Sequence, residues 1–134
     1  MARYLLDTNH ISPLVTLTHP LREKILLKMG MGDTFIIPLP ALSEFLFGIR
    51  LLPRVKQNLT EWERLKGLFD YYYLNLNLAE QSAELRVALR KKGWQLEIVD
   101  SFIAVLTLKY DLTLLTTDRD FEAISGLKSE NWMV

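Results

Sequence analysis

The chain has 134 residues, 49% hydrophobic and 24% charged, and its basic and acidic side chains balance to a net charge of zero. That is the make-up of one globular domain with a core of its own, expected to span residues 1–134. Zero net charge excludes a global field toward nucleic acid or anionic membrane, so a nucleic-acid partner needs a local basic patch; the absence of cysteine excludes disulfides and thiolate metal sites. The N-terminus does not read as a signal peptide, and the longest apolar runs, such as Phe102–Leu106, are too short to span a bilayer. The expectation is a cytoplasmic protein with no membrane partner.

Residues 3–6 read as a first strand, a continuous apolar run that stops at Asp7-Thr8-Asn9. Buried parallel strands have this form, and their carboxyl ends are where open α/β sheets bind ligands. A short helix is expected over Asn9–Leu17 and another over Leu21–Met29, opened by Pro20 and stopped by Gly30 and Gly32. Thr34–Ile37 is a second β run, ended by Pro38 and Pro40. Helices follow over Ala41–Ile49, carrying Ser43, Glu44 and Gly48, and over Pro53–Asp70. Tyr71–Leu76 is a third strand, and Leu78–Lys92 an amphipathic helix ending at Gly93. Asp100 falls at or within a residue of the N-cap of the apolar helix Ser101–Tyr110. Leu112–Thr116 is a β run that stops at Thr117-Asp118-Arg119-Asp120, Phe121–Ile124 a short helix, Gly126 a turn, and Asn131–Val134 an edge strand. Strands alternating with helices imply parallel pairing through right-handed crossovers, hence a three-layer α/β/α sandwich around a central, mostly parallel sheet.

Four acids occupy informative places in that scheme. Asp7 and Asp118 each follow an apolar β run, so parallel strands put both on one edge of the sheet. Helix N-termini face the same edge, which brings Asp100 and Glu44 toward them. Converging bare carboxylates repel, and a divalent cation removes the repulsion. Hard oxygen donors without His or Cys point to Mg²⁺ or Mn²⁺, and the chemistry such a site suits is metal-assisted phosphodiester hydrolysis. Each acid also has a plainer reading: Asp7 and Asp100 as helix caps, Asp118 as a turn residue, Glu44 as a solvated helix residue.

The order and spacing of these segments resemble the PIN-domain ribonucleases, and within them the VapC-type toxins of bacterial and archaeal toxin–antitoxin pairs. Tyr4-Leu5-Leu6-Asp7-Thr8-Asn9 is similar to the first motif and Ser43-Glu44-Phe45-Leu46-Phe47-Gly48 to the second. Ala83, Leu85, Arg86, Leu89 and Gly93, followed by Asp100 and Ile103-Ala104, resemble the long central stretch. Leu114-Leu115-Thr116-Thr117-Asp118-Arg119-Asp120-Phe121 resembles the last acidic motif, and Asn131-Trp132 the usual ending. The resemblance implies a Mg²⁺-dependent endoribonuclease acting on RNA, homodimeric and neutralised by a cognate antitoxin. It implies Asp7, Glu44, Asp100 and Asp118 as the metal-binding acids. Many relatives carry Asn at the place of Asp118, so Asp120 is kept as a fourth acid instead of it or beside it. Thr8 or Thr117 would orient a carboxylate or water, and Asn9 would support them.

Arg86 and Arg90 on the long helix are candidate RNA contacts; cations favourably placed at a helix C-terminus are the competing account, preferred for Lys91 and Lys92. His10 and His19 are not at zinc-ligand spacing and read as surface or capping residues. Trp62, Leu59, Leu65 and Phe69 read as core or as the wall of an antitoxin groove on helices 41–49 and 53–70. A catalytically silent PIN-like module that binds RNA or protein is the alternative function. A phosphatase with Asp7 as nucleophile is disfavoured because Asn9, not a second Asp, stands two residues on, and the lack of a glycine-rich phosphate loop disfavours an NTPase.

Overall fold

The computed structural model describes residues 1–133. Its five short strands are β1 (Arg3–Leu6), β2 (Thr34–Pro38), β3 (Asp70–Tyr72), β4 (Thr113–Leu115) and β5 (Lys128–Glu130). They form one sheet in the order β3-β2-β1-β4-β5, and every pairing is parallel. Leu5, Leu6, Ile36, Ile37, Leu114 and Leu115 are fully buried, because a parallel sheet is covered on both faces and its central strands need apolar side chains on both.

The helices are α1 (Thr8–Ile11), α2 (Pro20–Gly30), α3 (Leu39–Arg50), α4 (Val55–Leu65), α5 (Leu76–Lys91) and α6 (Ile98–Lys109). The path β1-β2-β3 steps toward one edge, and the next connection returns across to β4. Right-handed crossovers therefore place α2, α3 and α4 on one face of the sheet and α5 with α6 on the other. The direction of travel reverses between β1 and β4. That pair's carboxyl ends form the crevice where doubly wound sheets bind ligands.

The three-layer parallel architecture is as expected; several boundaries are not. The second strand runs into Pro38, and α3 begins at Leu39 with Pro40 in its first turn, where a missing N–H costs nothing. The long helix expected over Pro53–Asp70 is shorter. Arg54 takes a left-handed conformation ahead of α4, and Lys66–Leu68 tighten into a 3₁₀ turn at Gly67 so that Asp70 can enter β3. That strand ends at Tyr72, opposite Pro38 at the end of β2. Asn75 then accepts a hydrogen bond from the Leu78 N–H and starts α5 two residues early. The helix expected over Asn9–Leu17 breaks at Pro13 into α1 and a 3₁₀ turn, Ser12–Val15. The last strand is Lys128–Glu130, with Asn131–Met133 beyond it; Val134 lies outside the described residues.

Two aromatic clusters anchor the layers. Phe45, Trp62 and Phe69 meet at 5.0 and 6.0 Å between ring centroids, all buried, so the Trp62 face is core and not a partner groove. Elsewhere, Tyr4 of β1 and Phe35 of β2 stack at 5.1 Å, and Trp132 meets both edge-on.

Candidate active site

Asp7 follows β1, and the ladder continues one step past Leu6: the Asp7 N–H donates to the Leu115 carbonyl of β4. Leu6 pairs with Leu115, so parallel register sets Asp7 beside Thr116. The carboxylate is buried at 7% exposure and both of its oxygens accept from uncharged donors only. Oδ1 accepts from the Thr8 N–H at 2.8 Å. Oδ2 accepts from the Thr116 hydroxyl at 2.7 Å and from the Asn9 amide at 3.3 Å. Asp7 thus caps α1, as the plainer reading had it, and in the same pose presents a buried charge at the switch point.

The other acids reach it from separate elements. Glu44 lies in α3 and its Oε2 accepts the Thr8 hydroxyl at 2.9 Å, which links it to Asp7 through one residue. Asp118 follows β4; the Thr116 hydroxyl accepts its N–H at 3.0 Å, and its Oδ1 accepts the Asp120 N–H at 2.8 Å. Asp100 is the third residue of α6, not its cap, because Glu97 holds the cap position. An acid in a first helical turn is favoured there by the helix dipole. The turn is pinned by Ser101, whose hydroxyl donates to the Ile98 carbonyl and meets the Ser82 hydroxyl of α5 at 2.5 Å.

Charge couples the set. Burial pushes the Asp7 carboxyl above its ordinary range, against the pull of its hydrogen bonds, and Glu44 and Asp118 push it further. Asp100 is raised to about 6, first by burial and then by the charges of Asp7, Asp118, Glu97 and Glu44. None of the four acids is in a salt bridge among the described residues. The structure therefore brings Asp7, Glu44, Asp100 and Asp118 into mutual electrostatic reach. It does not bring in Asp120, which is exposed and whose charge is not among those acting on Asp7 or Asp100. Asp120 serves Asp118 instead, through its backbone.

Thr8 is tied to two acids, as expected of an orienting residue. Thr117 is not: only its backbone N–H takes part, donating to Asn9 Oδ1 at 3.1 Å, and the orienting hydroxyl is that of Thr116. Parallel register was the signal for Thr116, since the residue after Leu115 must stand beside the residue after Leu6. His10 is also a correction. It is fully buried, not at the surface, while His19 does cap α2. His10 Nε2 accepts the Trp132 N–H at 3.0 Å, so Nδ1 carries the proton and donates to Asn9 Oδ1 at 2.7 Å. A chain of hydrogen bonds thus runs from the C-terminal segment through His10 and Asn9 to Asp7. Burial pushes the His10 pKa down to about 4, which keeps the ring neutral as this chain requires.

The donor set suits a hard divalent cation: oxygen ligands only, uncompensated, at a sheet crevice. Among the described residues no group of three or more His, Asp or Glu side chains is placed to hold a metal ion; Mg²⁺ keeps several waters and needs only one or two carboxylates.

A family model described as PIN domain matches residues 4–127. Among solved structures, VapBC2 from Rickettsia felis, bound to a promoter DNA fragment, aligns with a TM-score of 0.83 at 23% identity, covering 97% of this chain and 98% of that one. DNA-bound VapBC from Salmonella typhimurium aligns at 0.80 and 25% identity, covering 98% and 99%. VapC20 of Mycobacterium tuberculosis, a toxin that cleaves the sarcin-ricin loop, aligns at 0.67 and 16% identity, covering 92% and 95%. A sequence comparison with curated proteins finds no match.

Proposed function

The chain belongs to the PIN domain family, and we propose that it is a metal-dependent endoribonuclease of the VapC toxin type, neutralised by a cognate antitoxin. The observation that carries this reading is the uncompensated acid set at the β1–β4 switch point. Such a set repels a phosphodiester on its own and becomes a phosphodiester site only with a cation. Asp7, Glu44, Asp100 and Asp118 would hold Mg²⁺ or Mn²⁺. When bound, the ion would supply Lewis-acid polarisation of the phosphoryl group, neutralise its developing charge and acidify water.

The chain's own residues do the positioning. Thr8, Thr116 and Asn9 fix both oxygens of Asp7, so its orientation is set before any ligand arrives. The Thr8 hydroxyl holds Glu44 in line with it, and the Asp120 N–H holds Asp118. Asp100 accepts no hydrogen bond among the described residues, so its carboxylate is left open to ligand or water. Among the similar structures is VapBC-5 from Mycobacterium tuberculosis, a member of the VapBC family of toxin–antitoxin systems, and this supports the antitoxin partner. On this chain, exposed Leu17, Leu51 and Leu52 stand with Arg54, Lys56 and Arg64 near a cleft of about 800 Å³ between the 3₁₀ turn after α1 and α4, a surface suited to an apolar helix with acidic flanks. Homodimerisation belongs to the same proposal. No helix is long and apolar enough to cross a membrane among the described residues; the cytoplasmic location is part of the same proposal.

The test is cleavage of a mixed RNA pool, transfer RNA included, with Mg²⁺ or Mn²⁺, beside EDTA and an Asp100→Asn control. Discrete cuts lost in both controls are expected. Cuts that persist in the variant would trace to a contaminant, and no cuts from antitoxin-free protein would favour a silent RNA- or protein-binding module.

A further inference from the structure

The loop joining α5 to α6 carries chemistry that the acid set does not use. Helix α5 ends in a Schellman motif: Gly93, at φ +81°, donates its N–H to the Arg90 carbonyl, and Trp94 donates its own to the Leu89 carbonyl at 2.9 Å. This fixes the Trp94 backbone rigidly. Yet Trp94 is 38% exposed, whereas Trp62 is 4% exposed. It borders a cleft of about 500 Å³ lined also by Arg86, Val87, Arg90, Gln95 and Glu97. Arg86 spends its Nε on the Leu96 carbonyl at 3.2 Å, which holds the loop and leaves both terminal amino groups open. Arg90 and Gln95 make no side-chain hydrogen bond or ion pair among the described residues.

An aromatic face, two guanidinium groups and one amide around a single cleft are the parts that read a single-stranded nucleotide. The ring stacks a base, the cations take phosphates, and the amide meets a base edge. We propose that this cleft is a nucleotide subsite, in which a base of single-stranded RNA stacks on Trp94 while Arg86 and Arg90 hold the adjoining phosphates. Its location fits substrate selection. The cleft runs to Glu97, the cap residue of α6, and Asp100 lies one turn further along that helix, within reach of the Glu97 charge. The subsite's service to cleavage rests on the nuclease reading; its affinity for RNA does not. A purely structural Trp94 would fill the apolar position past the helix end, where leucine serves equally well.

Leucine therefore makes the test. Binding of a labelled single-stranded RNA of mixed sequence is read by anisotropy in EDTA, so that no cleavage intervenes. Trp94→Leu is expected to weaken binding about tenfold with an unchanged melting temperature, and Trp94→Phe to retain most of the affinity, because stacking on one aromatic face is what is lost. RNA quenches the parent's tryptophan fluorescence and leaves that of Trp94→Phe unquenched. Arg90→Ala lowers the slope of log affinity against log salt by about 0.7. Parent-like RNA binding by Trp94→Leu overturns the proposal, as does quenching that survives in Trp94→Phe. A Trp94→Leu variant that loses a co-expressed protein partner while keeping RNA affinity makes the cleft a protein-docking surface, which also overturns it. Trp94-dependent RNA binding by a chain that cleaves nothing under any divalent metal would sink the nuclease reading and leave this one standing.

Discussion

Asp7 and Glu61 are both buried carboxylates, each 7% exposed, and the chain treats them in opposite ways. Glu61 on α4 meets the Arg22 guanidinium of α2 at 2.6 Å and Arg64 at 3.7 Å; Arg22 also donates to the Leu14 carbonyl. Asp7 is met only by uncharged donors, with Glu44 and Asp118 acting on it and Asp100 in turn raised by its charge. Burying a carboxylate is costly unless a cation or a dense set of donors offsets it. At Glu61 the sequence supplies the cation and ties two helices together. At Asp7 it withholds one and adds more negative charge, a choice that packing does not explain and that the proposed cation would.

Exchanging the partners separates the two regions. Arg22→Met leaves the Glu61 charge buried and short of its main partner, and is expected to cost about 3–5 kcal/mol of folding stability in a denaturant titration. Cleavage per folded molecule stays at the parent level, because nothing at the acid edge has moved. Asp100→Asn is the mirror image. It removes a charge that accepts no hydrogen bond, so stability at pH 8 holds or rises, while kcat/KM falls about a hundredfold or more, at least the loss that follows when a residue merely supporting a metal site is removed. A large stability loss in Asp100→Asn would make the acid edge a structural network like the one at Glu61.

A cation should distinguish the regions more gently. At ten times its dissociation constant, Mg²⁺ stabilises the folded state by about 1.4 kcal/mol, which raises the melting temperature by about 5 °C in a chain of this size. The shift is expected to survive Arg22→Met, to shrink sharply in Asp100→Asn and to vanish in EDTA. An equal Mg²⁺ shift in parent and Asp100→Asn would place the ion away from these acids.

The sheet and the acid edge were legible because their signals are local. An apolar run that stops at Asp7, another that stops short of Asp118, and the alternation with helices are enough to put both acids on one edge. Boundaries failed where a neighbour decides them. Tyr73 and Leu74 have strand-like side chains, but β2 ends at Pro38 and offers β3 nothing further to pair with. Asp100 looked like a cap because Ser101 begins an obvious apolar face, while α6 in fact opens at Ile98, an exposed residue that periodicity cannot flag. Thr116 was hidden by attention to polar residues past the strand, when register with β1 selects the one at its end. His10 was missed because its partners, Asn9 and the Trp132 backbone, meet only when the C-terminal segment folds across β1.

That hidden histidine sets up the finest contrast, in the response to pH. His10 is held down to about 4 by burial, so between its unfolded value near 6.5 and about pH 4 the unfolded chain binds the extra proton, and stability is lost as pH falls. Asp100 is held up to about 6, so between that value and its unfolded value near 3.8 the folded chain binds the extra proton, and stability is lost as pH rises. The two slopes oppose each other over nearly the same window in metal-free protein. Asp100→Asn should remove one of the two contributions that oppose the histidine, the raised Asp7 carboxyl keeping the other, so stability climbs more steeply with pH than in the parent between pH 4 and pH 6. His10→Gln, which keeps an acceptor for the Trp132 N–H, should unmask the aspartate and give the reverse. Denaturant titrations at half-unit steps in EDTA read both. Identical profiles in parent and Asp100→Asn would mean that neither burial nor the neighbouring acids raise Asp100, and the acid edge would lose a property that sets it apart from the paired carboxylate at Glu61.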